Sequence, residues 1–193
     1  PELKYAGYDG IIFEGKAETP VYLHIDDELV ELLPADDLWG QGVHPVTEAL
    51  EAKHGKVHVA TIGRPGERMM LYAGVMNDKN RAAGRGGMGA VMGSKKLKGI
   101  VVAGKFKLDK ADPDAIRALN KEVMTWEKEG PVKPVCQMFG QWGTGNDYEH
   151  AIGRGDGGVK NWAGSVEDVP PEDRDVASAP RMDETYKRKK YAC

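Results

Sequence analysis

Cysteine is scarce. The 193 residues hold two, Cys136 and Cys193, too few for the disulfide framework of a small secreted domain, so a reducing cytoplasm is the expected compartment. No apolar run approaches the roughly 18 residues that span a bilayer, and no basic, apolar and small-residue leader opens the chain, so no membrane partner is expected. With 40% hydrophobic and 30% charged residues, the composition is that of an ordinary globular protein with material for one domain or one and a half. The chain opens on Pro1 rather than Met, and reads as a piece of a longer protein.

Glycine, by contrast, is plentiful, and it is concentrated. Five glycines fall in the ten residues from Gly84 to Gly93, with no side chain larger than Met between Gly86 and Gly93. Such backbone either bends sharply or lets another group approach its amides closely. Arg81 and Arg85 flank the first glycine with planar cations suited to phosphate, and successive glycine N–H groups ahead of a helix form an anion-binding concavity. From Arg64 to Lys107 ten Lys/Arg face only Glu67 and Asp78, a local net charge of +8 in a chain whose net charge is −3. A phosphate-bearing ligand follows from that pattern.

Several glycine motifs compete here. Gly84-x-Gly86-x-x-Gly89 has dinucleotide-binding spacing, but Asn77–Asn80 reads as a turn where that motif needs a strand, and no acidic ribose partner ends the next strand at Gly104-Lys105. A P-loop fails for want of a lysine after a correctly spaced glycine. An RGG-type RNA-binding tract would be repetitive and would not continue into Ala90-Val91-Met92-Gly93, so no nucleic acid is expected. A stand-alone phosphate- or nucleotide-binding module remains as the alternative to a redox domain.

Residues 1–63 carry twelve acids against four bases and read mainly as strands. Gly10–Gly15 is a short apolar run, and Val21–Ile25 with Val30–Leu33 suggests a hairpin through Asp26-Asp27-Glu28. His24 reads as a packed or edge histidine. Pro45–Lys53 reads as a helix with His44 and His54 at its ends and Gly55 as terminator. Val57–Ile62, Met70–Met76 and Ile100–Ala103 read as strands, Gly63–Glu67 as a tight loop, and a short helix is expected from about Gly89. Turns this short suit an α+β domain better than a doubly wound sheet. A boundary is expected within 104–112, after which Asp112-Pro113 caps a helix whose Ile116, Leu119, Val123 and Trp126 share a face. Beyond Gly130 the pattern is loop chemistry, with Gly153-Arg154-Gly155 a second anion-loop candidate, and Glu184–Tyr191 the last helical piece.

The stretch from Met76 to Lys98, Met76-Asn77-Asp78-Lys79-Asn80-Arg81-Ala82-Ala83-Gly84-Arg85-Gly86-Gly87-Met88-Gly89 and onward, resembles the N-terminal cofactor domain of the tungsten-containing aldehyde:ferredoxin oxidoreductase family. Pro1-Glu2-Leu3-Lys4-Tyr5-Ala6-Gly7-Tyr8-Asp9 resembles a second signature of that family, and Gly15–Tyr22 and Leu38-Trp39-Gly40 also fit. The resemblance is close over residues 1–107. It implies an α+β fold in which this chain begins within the second half of a duplicated cofactor-binding domain, 1–107, and continues at 108–193 into the start of a helical domain.

The resemblance also implies tungsten (or molybdenum) held by two pterins whose phosphates are bridged by magnesium. Arg81, Ala82, Ala83, Gly84, Arg85 and Gly86 would then bind one pterin, with an alanine carbonyl near the magnesium. Cys193 would open a Cys-x2-Cys-x3-Cys motif for a [4Fe–4S] cluster completed elsewhere, since one thiolate holds no cluster. Cys136 has no place in that pattern and reads as structural. The implied chemistry is oxidation of an aldehyde to a carboxylate, with electrons passing through the cluster to ferredoxin or another electron-transfer protein. A homodimer, or a complex with an electron-transfer subunit, is compatible with it. Relatives with the same domain reduce aromatic thioesters, so the domain does not fix the substrate. No residue of this chain is assigned a catalytic role.

Overall fold

The computed structural model of the protein describes residues 1–186. Two compact units divide the chain, one ending at Asp109 and the other beginning at Lys110. The first is α+β. Its six-stranded sheet contains β1 (Val21–Asp26), β2 (Leu29–Pro34), β3 (His58–Thr61), β4 (Val75–Asn77), β5 (Arg81–Ala83) and β6 (Leu97–Ala103), in the order β2-β1-β6-β3-β4-β5. Every neighbouring pair is antiparallel except β1 with β6, which run parallel. Four helices accompany the sheet: α1 (Glu2–Tyr5), α2 (Val43–His54), α3 (Arg64–Glu67) and α4 (Met88–Ser94).

Alternation along the central strands buries both faces. On one face Tyr22, Val59 and Val101 meet Val46 and Leu50 of α2, together with Ala35, Leu38 and Val57. On the other, Leu23, Ile25 and Val102 meet Ala6, with Leu3, Tyr8, Ile11 and Phe13 packed around them. The β1–β2 hairpin forms as its sequence suggests, turning with Asp27 in the left-handed region (φ 51°). His24 is a packed residue, its side chain 12% exposed and its ring stacked on His54 at 4.0 Å between centroids.

Some expectations are corrected. Gly10–Gly15 forms no strand; Ile11 and Phe13 pack over the sheet as a cover, while Ile12 faces solvent. Of Met70–Met76 only the end is extended, because Ala73 turns back to hydrogen-bond Met70 and strand pairing starts at Val75. Gly63–Glu67 leads into one turn of helix rather than an open loop, with Pro65 in its first turn.

The second unit is helical. It comprises α5 (Pro113–Glu129), α6 (Lys133–Trp142), α7 (Tyr148–Arg154), α8 (Pro171–Arg174) and α9 (Ala179–Thr185), with short 3₁₀ turns between them. Asp112 caps α5 by accepting the Ala115 N–H at 2.9 Å, as its sequence predicts. Helices α6 to α9 replace the expected long loop; α6 begins with Pro134 in its first turn and carries Gly140, and α7 to α9 are too short to show a period. Helix α9 holds the first two residues of the expected last helical piece, Glu184–Tyr191; Lys187–Cys193, with the remainder of that piece and the cluster-ligand candidate Cys193, lies outside the described residues. Cys136, read as structural, is an exposed free thiol in α6.

Candidate functional site

The predicted ligand residues fall on one continuous segment of backbone. Arg81, Ala82 and Ala83 form β5, the last strand of the sheet among the described residues, and Gly84, Arg85 and Gly86 follow as a loop; all six are exposed. Strand β5 pairs with β4 through Asn77↔Arg81, Met76↔Ala82 and Val75↔Ala83. The hairpin turns through Asp78 and Lys79, both left-handed at φ 45° and 71°. Asn77 Nδ2 closes the turn by donating to the Arg81 carbonyl at 3.1 Å.

Asp78 fastens that turn to the sheet. Its carboxylate accepts the Val59 N–H at 3.0 Å and bonds His58 Nδ1 at 2.8 Å, while its own N–H donates to the Val59 carbonyl at 2.8 Å. Partial burial opposes ionisation of Asp78. The hydrogen bonds from His58 and Val59, with the nearby charges of His58 and Arg81, outweigh it and hold the carboxyl below its usual value. Arg81 therefore stands in the field of an ionised Asp78.

The glycines divide by role. Gly89 and Gly93 are buried in α4 and face α3 and its flanking turn: a Cβ on Gly93 would run into the Gly66 carbonyl oxygen, and one on Gly89 would lie 2.9 Å from the Ala73 carbonyl carbon. A Cβ on Gly66 would in turn lie 2.9 Å from the Gly89 carbonyl oxygen. Backbone, not ligand, fills the space beside these residues. Gly86 is the opposite case, left-handed at φ 80° with nothing within 4 Å of where its Cβ would be. The open part of the glycine stretch is thus Gly84–Gly86.

The basic cluster divides similarly. Lys79 meets Glu48 and Glu51 at 3.4 and 3.3 Å, Lys95 donates to the Gly15 carbonyl at 3.0 Å, and Lys96 to that of Glu18. Arg64 donates to the Gly40 carbonyl, and Lys98 is buried against Glu67. These cations secure the chain. Arg85 is exposed and makes no hydrogen bond or ion pair among the described residues, so its planar donors are available to an anion.

Sequence reading missed the Lys98–Glu67 pair. Its signal was a lysine set in the otherwise apolar strand Leu97–Ala103, a place where charge demands a partner. Burial pushes the Lys98 ammonium down, Glu67 opposes that shift, and Arg64 adds to it. At the second anion-loop candidate the Arg154 guanidinium is paired with Asp147 at 2.9 Å and Asp156 at 3.5 Å. Among the described residues, no group of three or more His, Cys, Asp or Glu side chains is arranged to hold a metal ion, and no helix is long and apolar enough to cross a membrane.

Residues 1–104 match the family described as aldehyde ferredoxin oxidoreductase, N-terminal domain. The chain is 49% identical over 133 residues to a tungsten-containing aldehyde ferredoxin oxidoreductase of Pyrococcus abyssi, covering 68% of this chain and 22% of the relative. It is 36% identical over 179 residues to an aliphatic sulfonate oxidoreductase, WOR-like subunit, of Pyrococcus furiosus, covering 83% of this chain and 27% of that one. Among solved structures, the active site complex BamBC of benzoyl coenzyme A reductase with 1,5-dienoyl-CoA superposes with a TM-score of 0.64 at 42% identity, over 66% of this chain and 20% of that one. The chain spans about a fifth of the length of the first of these relatives, which is covered to 22%. Match and identity together establish that the chain belongs to the aldehyde ferredoxin oxidoreductase family, through that family's N-terminal domain.

Proposed function

We propose that this chain is part of an oxidoreductase that acts on aldehydes at a tungsten (or molybdenum) bis-pterin centre, and that Arg81, Ala82, Ala83, Gly84, Arg85 and Gly86 form the ledge on which one pterin rests. The observation that carries the reading is the exposed segment of β5 and its loop. A flat, anionic group can reach the backbone beside Gly86, where no atom stands in the way, and Arg85 offers it unengaged donors. When bound, the cofactor supplies a two-electron centre for converting an aldehyde and water to a carboxylate, two electrons and three protons, the electrons leaving for a ferredoxin or a similar carrier. This chain's part is binding: Arg85 neutralises phosphate charge, Asp78 fixes the turn that presents Arg81, and Gly84 and Gly86 give close access to the main chain. Magnesium between the pterin phosphates and a [4Fe–4S] cluster with Cys193 among its ligands complete the proposed holoenzyme. The domains are proposed to divide at 107/108, with the cofactor-binding part first.

A second reading, a tungsten subunit acting on an aromatic thioester, is supported by the likeness to the benzoyl coenzyme A reductase complex. Metal analysis of the longest natural form of the protein, purified without oxygen, tests the class. About one tungsten or molybdenum and four irons per chain are expected; folded protein without either metal of the pterin centre overturns the proposal. Turnover of an aldehyde panel against an aryl thioester then separates the two substrates.

A further inference from the structure

We propose that the buried Glu67–Lys98 pair is a positioning element for residues 84–87, acting through the contact between α3 and α4. The Lys98 side chain is 0% exposed and that of Glu67 6%. The ammonium donates to Glu67 and, at 3.0 Å, to the Gln41 carbonyl. The same carboxylate accepts the Gly40 N–H at 3.0 Å on one oxygen and 2.9 Å on the other. At the other end of α3, Arg64 Nε donates to the Gly40 carbonyl. Both ends of this single turn are therefore pinned, to the turn at Gly40 and to β6.

What α3 touches next is backbone. Its Gly66 lies against Gly89 and Gly93 of α4 with no room for a Cβ on any of the three. The first turn of α4 is fixed by the Gly89 N–H to the Ala73 carbonyl at 2.9 Å, and by the Ala90 and Val91 N–H groups to the Gly87 carbonyl at 2.9 and 3.3 Å. Helix α4 then runs through Lys95-Lys96 into β6, where Lys98 stands. The path from Lys98 through Glu67, Gly66 and Gly93 back to Lys98 closes on itself. Main-chain contact between the helices leaves no flexible side chain to absorb a shift, so a displacement of Glu67 is passed to the residues just before α4. A buried ion pair is a weak source of stability compared with apolar residues of similar volume, and fixing this geometry gives it a use.

The inference rests on the reading of residues 81–86 as a cofactor ledge for one of its two readouts only. In the full-length natural protein purified without oxygen, Glu67→Gln leaves a charged Lys98 without its counter-ion. Amide hydrogen exchange of peptides covering 84–93 is expected to quicken about tenfold or more, while β1 keeps its protection. Retained tungsten is expected to fall by about tenfold. The double variant Glu67→Gln/Lys98→Met, which buries no unpaired charge but lacks the clamp, is expected to keep the fast loop exchange. Unchanged exchange in Glu67→Gln overturns the proposal. So does an equal loss of protection in β1, which would make the pair a general support of the fold, and so does full recovery in the double variant, which would make charge neutrality the whole effect. Fast loop exchange with full tungsten supports the pair and overturns the ledge. A wild-type protein with neither tungsten nor molybdenum removes the ledge reading and leaves exchange to decide the pair.

Discussion

Gly93 lies so close to the Gly66 carbonyl that no side-chain carbon fits between them. Two helices of four and seven residues, neither long enough to be stable alone, hold one another by main-chain contact. Gly93→Ala is expected to destabilise the first unit by about 3 kcal/mol, the upper range for overpacking a site that cannot move aside. Gly86→Asn should cost less than about 1 kcal/mol, since the space there is open and Asn tolerates left-handed backbone. Denaturant midpoints of the two variants check the order; equal losses would mean that the α3–α4 contact gives way easily.

Arg85 and Lys95 separate binding from folding within one basic cluster. Arg85→Ala is expected to change stability by no more than about 0.5 kcal/mol and to lower pterin-bound metal several-fold. Lys95→Ala removes the bond to the Gly15 carbonyl, and is expected to leave metal content per folded chain unchanged. Metal analysis of both proteins gives the answer, and a drop in both alike would argue for general field strength rather than a defined ledge.

His54 carries a pH dependence. Burial, the stacked His24 and the neighbouring Lys53 lower its pKa from 6.5, with Glu31 opposing them, and Tyr22 OH meets its Nε2 at 2.9 Å. A base with a lowered folded-state pKa takes up its proton more readily when unfolded. Stability is therefore complete above 6.5 and falls as pH drops from there toward the folded value. Protection of α2 amides, corrected for intrinsic exchange, is expected to decline as pH falls below 6.5. In His54→Gln the decline should flatten.

Asp78 has the opposite charge and titrates in a lower window. Its folded pKa is held below the ordinary 3.8, so its contribution is present above that value and is lost as pH falls through the folded one. Asp78→Asn is expected to cost about 1.5–3 kcal/mol, the range for charged hydrogen bonds, and to free the turn carrying Arg81. Lowered metal content without global unfolding is the expected result; an unchanged one would show that the tether to Val59 is not needed by the ledge.

Much of the fold was legible where the signal is local. The β1–β2 hairpin, α2, the turn before Arg81 and the Asp112 cap of α5 each announce themselves within a few residues. Gly10–Gly15 and Met70–Met76 were misread because an apolar run looks alike whether it pairs as a strand or lies over one. The glycines posed a deeper ambiguity: Gly86 and Gly93 are the same letter, and only the backbone opposite tells that one faces open space and the other a carbonyl. The Arg154 loop posed a similar ambiguity, since the fold gives its arginine Asp147 and Asp156 as partners. Arg81, Arg85 and the glycines beside them were legible as an anion-binding stretch, and family resemblance added Ala82, Ala83 and the pterin, whereas the Lys98–Glu67 pair joins residues too far apart in the chain for any local pattern.

The parallel pairing of Val21–Asp26 with Leu97–Ala103 also sets a schedule for biosynthesis. Until the later strand emerges, β1 has a partner on only one edge, and the apolar faces destined for both sides of the sheet stay open. At about 5–20 residues per second, that interval lasts on the order of 4–14 seconds of translation. Closure of such a distant strand pair is itself slow compared with a helical bundle. The nascent chain therefore passes through a long window in which Leu23 and Ile25, buried in the finished sheet, are accessible to chaperones.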